Sequence, residues 1–446
     1  MKQSSNYRTL KLPADPTALK YHLMPPMGWL NDPNGLCRFN GATHIFFQHS
    51  KDPKGGLKQW GHYSTVDYVN YKLHPIALTP DCGYDKDGVY SGSAFVHENK
   101  MHLYYTGNVK YDGDKERIMS GRDSNVLHVT SDDGMNFSGK ELVLTNADYP
   151  QNLTRHVRDP KVFAKDGVYY MVLGARRKDD VGEVIFYESS DLKDWKYFQT
   201  MTSSEPLGYM WECPDYIFLD GQEVLLCCPQ GVDTRGDRFQ PLYNNGYFKV
   251  DRNQLSEFVE MDIGFDFYAP QTYTDNGKVI MIGWMGMPDV DYTNVNDDEW
   301  QHCLTIPREL VLVDGAIRQK PIEELKALRC GYFSGQSITL ENNSFEMVLN
   351  DIQGDLYLKL REDVVISYEN QLLRLDMGNS GQGRTSRILE LAELTSLKIY
   401  SDITSLEIFV NDGINTISTR VYNDSCKIES NCQFEGYILE GFNIEI

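Results

Sequence analysis

The chain has 446 residues, 41% hydrophobic and 12% aromatic, enough for two cores rather than one. Its 43 basic and 64 acidic side chains leave a net charge of −21, a field that repels nucleic acid and anionic membrane surfaces and is indifferent to a neutral sugar. No stretch nears the roughly 18 apolar residues of a membrane span, the Met1–Arg8 segment lacks the apolar run of a secretory signal, and nine scattered cysteines form no paired zinc motif. The expectation is a cytoplasmic protein with reduced thiols, with no nucleic-acid or membrane partner.

Helical periodicity is scarce, and short runs of Val, Ile, Phe, Tyr and Thr between Gly, Asn and Asp predict a mostly β chain. One pattern recurs: an apolar strand, a tight polar turn and a second apolar strand. It runs through Leu36–Ser50 around Asn40-Gly41, Ala94–Asn108 around Glu98-Asn99 and Lys161–Ala175 around Asp166-Gly167. It returns in Tyr216–Gln230 around Asp220-Gly221 and Thr272–Met285 around Asn276-Gly277. Asn-Gly and Asp-Gly are strong hairpin signals. The turns, at positions 41, 99, 167, 221 and 277, stand 58, 68, 54 and 56 residues apart, the length of one four-stranded propeller blade. A long sandwich of five hairpins is the alternative. After the fifth hairpin, Pro321 followed by Glu323-Glu324-Leu325 predicts a short helix. Beyond it come short strands such as Phe345–Leu349, Leu356–Leu360, Ser396–Ser401, Ser405–Val410 and Thr416–Tyr422, with a hairpin turn at Asn411-Asp412-Gly413. The expected fold is all-β: a five-bladed β-propeller over residues 1–318, a linker over 319–335, and a structural β-sandwich over 336–446.

The repeat also aligns chemistry. Asp32 lies 9 residues before Gly41, Asp159 lies 8 before Gly167, and Glu212 lies 9 before Gly221; Ser91 and Ala269 hold the comparable places in the other two repeats. In a propeller such positions ring the central axis, so carboxylates distant in sequence converge. Two carboxylates flanking one bond are the means of glycoside hydrolysis, and their surroundings must push their pKa values apart. Asp32 lies among Asn31, Asn34 and turn amides, which favour the ionised form; Glu212, within Tyr209-Met210-Trp211-Glu212-Cys213-Pro214-Asp215, is expected to be raised by desolvation, with Asp215 adding like-charge pressure if close. Asp159 follows Arg158, a neighbour that keeps it ionised. Each also has a plainer reading, as an Asx turn, an Arg–Asp structural pair or an ordinary strand glutamate. Trp60 and Trp284 are the expected sugar platforms, with Trp29, Tyr90, Trp211 and Tyr268 near the same strand starts; blade packing is the alternative for each.

Trp29-Leu30-Asn31-Asp32-Pro33-Asn34-Gly35, Arg158-Asp159-Pro160 and Glu212-Cys213-Pro214-Asp215, in that order and spacing, resemble glycoside hydrolase family 32, the invertases and β-fructofuranosidases. Phe46-Phe47-Gln48, Trp60-Gly61-His62, Tyr90-Ser91-Gly92-Ser93, Tyr105-Thr106-Gly107-Asn108, Gly283-Trp284-Met285 and the Leu406–Gly413 stretch extend the resemblance over nearly the whole chain. It implies a five-bladed propeller and a sandwich, with Asp32 as nucleophile and Glu212 as acid/base. Asp159 with Arg158 would grip fructose hydroxyls, and Asn31, Gln48, Trp60, Tyr90, Ser91 and Trp284 would line the pocket. It further implies retention through a fructosyl-enzyme, with the two carboxyls about 5–5.5 Å apart, and neither metal nor organic cofactor. Tyr90 stands where Phe is common, and the Tyr63–Tyr71 stretch lacks the usual Trp at its end.

The expected substrate is sucrose or sucrose 6-phosphate, with Arg155, His156, Arg176-Arg177, and Arg235 with Arg238 as candidate contacts to the glucose side or its phosphate. Solvated loop charges are the plainer reading of these cations. An exo-fructosidase on inulin or levan oligosaccharides is the alternative of the same class, and a non-catalytic sugar-binding propeller that of another.

Overall fold

The computed structural model describes Asp15 and residues 17–113, 116–290 and 299–446; the Met1–Arg8 segment read above for a signal lies outside them. Five antiparallel sheets follow one another along the chain. The first is built on Gly28–Phe39, Ala42–Ser50, Gln59–Thr65 and Asn70–Leu78, the second on Val89–His97, Lys100–Lys110, Arg122–Ser131 and Glu141–Leu144. The third holds Leu153–Lys165, Val168–Arg177, Gly182–Ser189 and Lys196–Met201. The fourth is led by Met210–Leu219, Gln222–Gln230 and Gly246–Asp251, the fifth by Tyr268–Asp275, Lys278–Met285, Arg308–Val313 and Ala316–Pro321. Each sheet is one blade, and each predicted turn joins its first two strands. Gly41, Gly167, Gly221 and Gly277 sit there at φ of 81°, 79°, 83° and 81°, a region only glycine enters freely.

The first strand of every blade packs against the first strand of the next, and the fifth closes on the first. Closure is reinforced where Gly28 N donates to the Glu299 carbonyl (2.8 Å) and Gly28-Trp29 pair in parallel with Trp300-Gln301. Apolar residues alternate inward along the blades and interleave between neighbouring sheets. One such core joins Val172, Val184 and Phe186 of the third blade to Trp211, Leu225 and Phe248 of the fourth.

Beyond Pro321 the expected short helix is present as a 3-10 helix, Glu323–Leu328, and the sandwich opens at Arg329. Its two layers share the long strand Lys427–Leu439, which pairs with Leu356–Leu360 near one end and Phe345–Leu349 near the other. The fifth blade ends on Ala316–Pro321 as its edge strand, and the first sandwich strand is Arg329–Thr339. The chain also does not end in the sandwich: Asn443–Glu445 returns to pair in parallel with Asn70–Lys72 at the edge of the first blade.

Buried charges join the two parts. His22 is clamped between Asp402 (Nδ1 to Oδ2, 2.9 Å) and Glu407 (Nε2 to Oε1, 2.9 Å), so both ring nitrogens must donate and the ring is an imidazolium. Arg308 of the fifth blade donates to Glu407 Oε2 through Nε (3.1 Å) and Nη2 (2.5 Å), and to Asp262 and Gln319 through Nη1. The sandwich is therefore bound to the propeller by a fully buried polar network, beyond apolar contact. Among the described residues no helix is long and apolar enough to cross a membrane.

Candidate active site

All five innermost strands lose register at the same place. Two residues face one where Asn31-Asp32 oppose Gln48, Tyr90-Ser91 oppose Thr106, Asp159-Pro160 oppose Leu173, Cys213-Pro214 oppose Cys227, and Ala269-Pro270 oppose Gly283. A bulge bends its strand and re-aims side chains, and five of them in a ring aim those side chains at the propeller axis. Asp159, Cys213 and Ala269 lie at φ of 63°, 49° and 48°, a strained region for such residues that the surrounding ladder must impose.

Aligned on Pro33, Gly92, Pro160, Pro214 and Pro270, which end or follow the bulges, the equivalent positions are Asp32, Ser91, Asp159, Cys213 and Ala269. Glu212 stands one residue earlier, with Asn31, Tyr90, Arg158 and Tyr268. The expected equivalence of Glu212 with the two aspartates is thus off by one, and in a pleated strand one residue changes the side-chain direction. Two tiers result. In the first, Ser91 Oγ donates to Asp32 Oδ2, Gln48 Nε2 lies 3.4 Å from the same oxygen, and Cys213 bridges the two aspartates. Its amide donates to Asp159 Oδ2 (2.9 Å), and its thiol lies 3.6 Å from that atom and 3.8 Å from Asp32 Oδ2. This places Cys213 as the link between two carboxylates. In the second tier, Tyr268 Oη and Gln230 Nε2 each donate to Glu212 Oε2 (3.0 Å), while Arg158 Nη1 lies 3.5 Å from Oε1 and its guanidinium 5.7 Å from the Tyr90 ring. Asn31 Nδ2 donates to Asp32 Oδ1 (3.1 Å), and Trp29 Nε1 to Asn31 Oδ1 (2.9 Å).

The electrostatics differ from expectation. Burial raises the Asp32 carboxyl, opposed by the Ser91 and Asn31 hydrogen bonds and reinforced by Glu212. Burial likewise pushes Asp159 up to about 7; Arg158 opposes it, and Glu212 and Asp32 add to it. Turn amides and a neighbouring arginine were expected to keep these two ionised, but desolvation among like charges outweighs them. Asp215 is fully buried, takes Lys161 Nζ at 3.1 Å, and accepts from Thr272 N at 2.7 Å.

Asn31, Gln48, Ser91, Tyr90 and Arg158 are brought together with the acids. Trp60 is not an exposed platform: at 0% exposure it fills the core between the first two blades, and its Nε1 donates to the Tyr90 carbonyl (3.1 Å). Trp284, 3% exposed, lies 6.2 Å from the half-buried Trp29 and 6.4 Å from Tyr268. Of the candidate cations, His156 Nε2 lies 3.5 Å from Glu212 Oε1, and Arg176 stacks over Tyr209 at 4.3 Å while Asp180 holds its Nε and Nη2. Burial, then Arg158, Arg122 and Arg176, depress the His156 ring far below its usual range, so its approach to Glu212 is not an ion pair. Arg155 turns the other way along the strand, to Asp123 and the Arg122 carbonyl. Arg235 is exposed on a hairpin paired with Arg238, and Arg177 reaches Asp179. Two cations at the site escaped sequence reading. Lys58 lies over the Trp29 ring (4.9 Å), its amine lowered to about 8 by burial against the pull of Asp32. Arg122 is lowered to about 10 by burial and by Arg158. Neither belongs to a motif; only tertiary proximity reveals them.

Comparison with known proteins agrees with this geometry. Residues 22–321 match the glycosyl hydrolases family 32 N-terminal domain and residues 336–436 the family 32 C-terminal domain. The chain is 38% identical over 437 residues to a sucrose-6-phosphate hydrolase of Staphylococcus xylosus, covering 91% of this chain and 87% of that one. It is 35% identical to a raffinose invertase of Escherichia coli, covering 90% and 89%. Among solved structures, a sucrose-6-phosphate hydrolase from Lactobacillus gasseri superposes with a TM-score of 0.87 at 28% identity, covering 98% of each chain. A Bombyx mori β-fructofuranosidase variant in complex with sucrose gives 0.83 at 29% identity, covering 97% of this chain and 95% of that one. The chain belongs to glycosyl hydrolase family 32.

Proposed function

We propose that the protein is a β-fructofuranosidase that releases the terminal fructosyl unit of sucrose or sucrose 6-phosphate with retention of configuration. The observation that carries this reading is the convergence of three carboxylates from three blades at one ring of bulges, with Cys213 bridging Asp32 and Asp159 and Glu212 in the adjoining tier. Asp32 Oδ2 is held by Ser91 and Gln48, whereas Oδ1 takes a single donor from Asn31. Oδ1 is thus the freer oxygen to attack the anomeric carbon of fructose. Glu212 gives its proton to the glycosidic oxygen as that bond breaks, and the glucose unit leaves. Glu212, now a carboxylate, takes a proton from water; the water oxygen attacks the same carbon and Asp32 departs. Asp159 and Arg158 hold the fructosyl hydroxyls while positive charge develops on the ring.

Retention is tested by NMR of the first fructose released: the β-anomer is expected, and initial release of the α-anomer overturns the reading. Glu212→Ala is expected to lose about 10²–10⁴-fold in sucrose turnover with its melting transition intact; an unchanged rate removes Glu212 as the acid. All nine cysteines are unpaired, which supports placement in a reducing compartment such as the cytoplasm.

A further inference from the structure

Just past the bulges, the propeller axis carries a further ring of side chains that takes no part in the chemistry proposed above. The residues that follow Pro33, Gly92, Pro160, Pro214 and Pro270 are Asn34, Ser93, Lys161, Asp215 and Gln271. All five are polar and all five are buried. Two residues further along each strand, Leu36, Phe95, Phe163, Ile217 and Tyr273 line an apolar cavity, so the polar ring is a single layer. Its side chains link every blade. Asn34 Oδ1 accepts from Gly92 N (3.1 Å), and Ser93 Oγ donates to the Pro160 carbonyl (2.8 Å). Lys161 Nζ donates to Asp215 Oδ2 (3.1 Å) and to the Thr272 carbonyl (2.5 Å). Thr272 gives its amide (2.7 Å) and its hydroxyl (2.9 Å) to the same Asp215 oxygen. Gln271 Nε2 crosses to the Gly92 carbonyl (2.7 Å). The third, fourth and fifth blades therefore meet at one buried junction of Lys161, Asp215 and Thr272. Taking two charges out of water costs about as much as their attraction returns, and apolar side chains of similar volume would be at least as stable there. Stability alone does not account for the ion pair, but its place in the strands does. Lys161 stands two residues after Asp159, and Asp215 stands two after Cys213 and three after Glu212. Thr272 stands four after Tyr268, whose hydroxyl holds Glu212 Oε2 (3.0 Å).

We propose that Lys161 is a positioning residue: through Asp215 and Thr272 it fixes the third, fourth and fifth blades against one another and so sets the placement of Asp159 relative to Glu212. The proposal rests on the reading of these two carboxylates as groups that act on the fructosyl unit. At their own level, Cys213 N ties the fourth blade to Asp159 Oδ2 (2.9 Å), and Tyr268 Oη ties the fifth to Glu212. The junction gives each of these strands a second fixed point, and two points set a direction where one does not. Lys161 hydrogen-bonds to Asp215 and Thr272 rather than to Asp159 or Glu212, so its effect passes through the strands. A misplacement of about 1 Å between reacting groups costs about 10²-fold in rate, which makes a small slip at this layer visible in turnover.

The test is the double variant Lys161→Met/Asp215→Leu, which replaces the ion pair with apolar side chains and leaves neither charge buried alone. Its melting midpoint is expected at or above that of the wild type. Its kcat for sucrose is expected to fall by about 10–10²-fold. KM is expected to stay within about threefold, because Asn31, Gln48 and Ser91 belong to the first two blades. A wild-type kcat per folded molecule, or a raised KM with kcat intact, overturns the proposal. A crystal structure of the double variant reads the same effect without turnover. The Cys213 N to Asp159 and Tyr268 Oη to Glu212 bonds are expected to lengthen beyond about 3.5 Å, and unchanged bonds reject the positioning role. If the wild type leaves sucrose intact, the hydrolase reading fails separately and this structure still decides. If the double variant does not fold, Thr272→Val removes one donor to Asp215 at nearly constant shape. It is expected to lower kcat by about threefold, and a wild-type kcat in that variant overturns the proposal.

Discussion

The propeller axis and the junction with the sandwich both bury carboxylates, and the two places treat them oppositely. At the junction, burial works to raise Asp402 and Glu407, but His22, Arg308 and backbone amides outweigh it and hold both below their ordinary range. At the axis, burial wins: Asp32 and Asp159 are raised, and Glu212 adds to the pressure on both. The difference lies in the number of cations and donors supplied per carboxylate. A fully partnered cluster fastens two domains; an under-partnered one keeps carboxylates reactive at the expense of stability.

The largest effect expected from breaking the comparison is at the axis. Asp32→Asn is expected to lower kcat by about 10⁴-fold or more, since the nucleophile is lost, without a lower melting midpoint. Asp159→Asn is expected to lower kcat/KM by about 10²–10³-fold, as for removal of one electrostatic stabiliser. It also has a stability signature. A carboxyl raised in the fold binds its proton more tightly folded than unfolded, so stability falls as pH climbs from about 4 to about 7. Above that window Asp159→Asn is expected to melt at or above the wild-type temperature, and a clearly lower midpoint at pH 8 contradicts the assignment.

At the junction the signs reverse. Arg308→Met leaves Glu407 and Asp262 buried with fewer partners and is expected to cost about 3–5 kcal/mol, read as a lower denaturation midpoint with near-normal turnover per folded molecule. The smallest effect is at His22. Burial would depress its pKa, but Asp402 and Glu407 raise it above the ordinary 6.5. Its contribution is therefore complete below pH 6.5 and is lost as pH rises through the folded value. His22→Gln is expected to flatten the fall of the melting midpoint on the alkaline side. An unchanged pH profile in this variant removes the imidazolium from the account.

Much of this was legible in the sequence because it is local. Asn40-Gly41, Asp166-Gly167 and their counterparts are turns by their own chemistry, and five of them at blade-length spacing specify the propeller. The sandwich strands Phe345–Leu349, Leu356–Leu360 and Ser405–Val410 fall where alternation places them. The tiers were not legible from turn spacing alone, because the first blade carries a second register shift between Asn34 and Cys37. That extra residue makes Asp32 and Glu212 look equivalent when counted from their turns. Asp32-Pro33, Asp159-Pro160, Cys213-Pro214 and Ala269-Pro270 hold the correct alignment, and counting from the prolines would have found it. Trp60 was misjudged because an aromatic at a strand start serves packing and sugar contact equally well; only burial separates them. Arg122, Lys58 and the His22 clamp are made by residues brought together from separate blades or domains, and no local pattern announces them.

The central claim is that Asp32 becomes covalently attached to fructose. Acid-quenching the enzyme during sucrose turnover and mapping the modified peptide by mass spectrometry tests this directly. A fructosyl adduct on the peptide bearing Asp32, absent in Asp32→Asn, is the predicted result. An adduct on Asp159 or Glu212 instead, or none together with α-fructose as the first product, would contradict it.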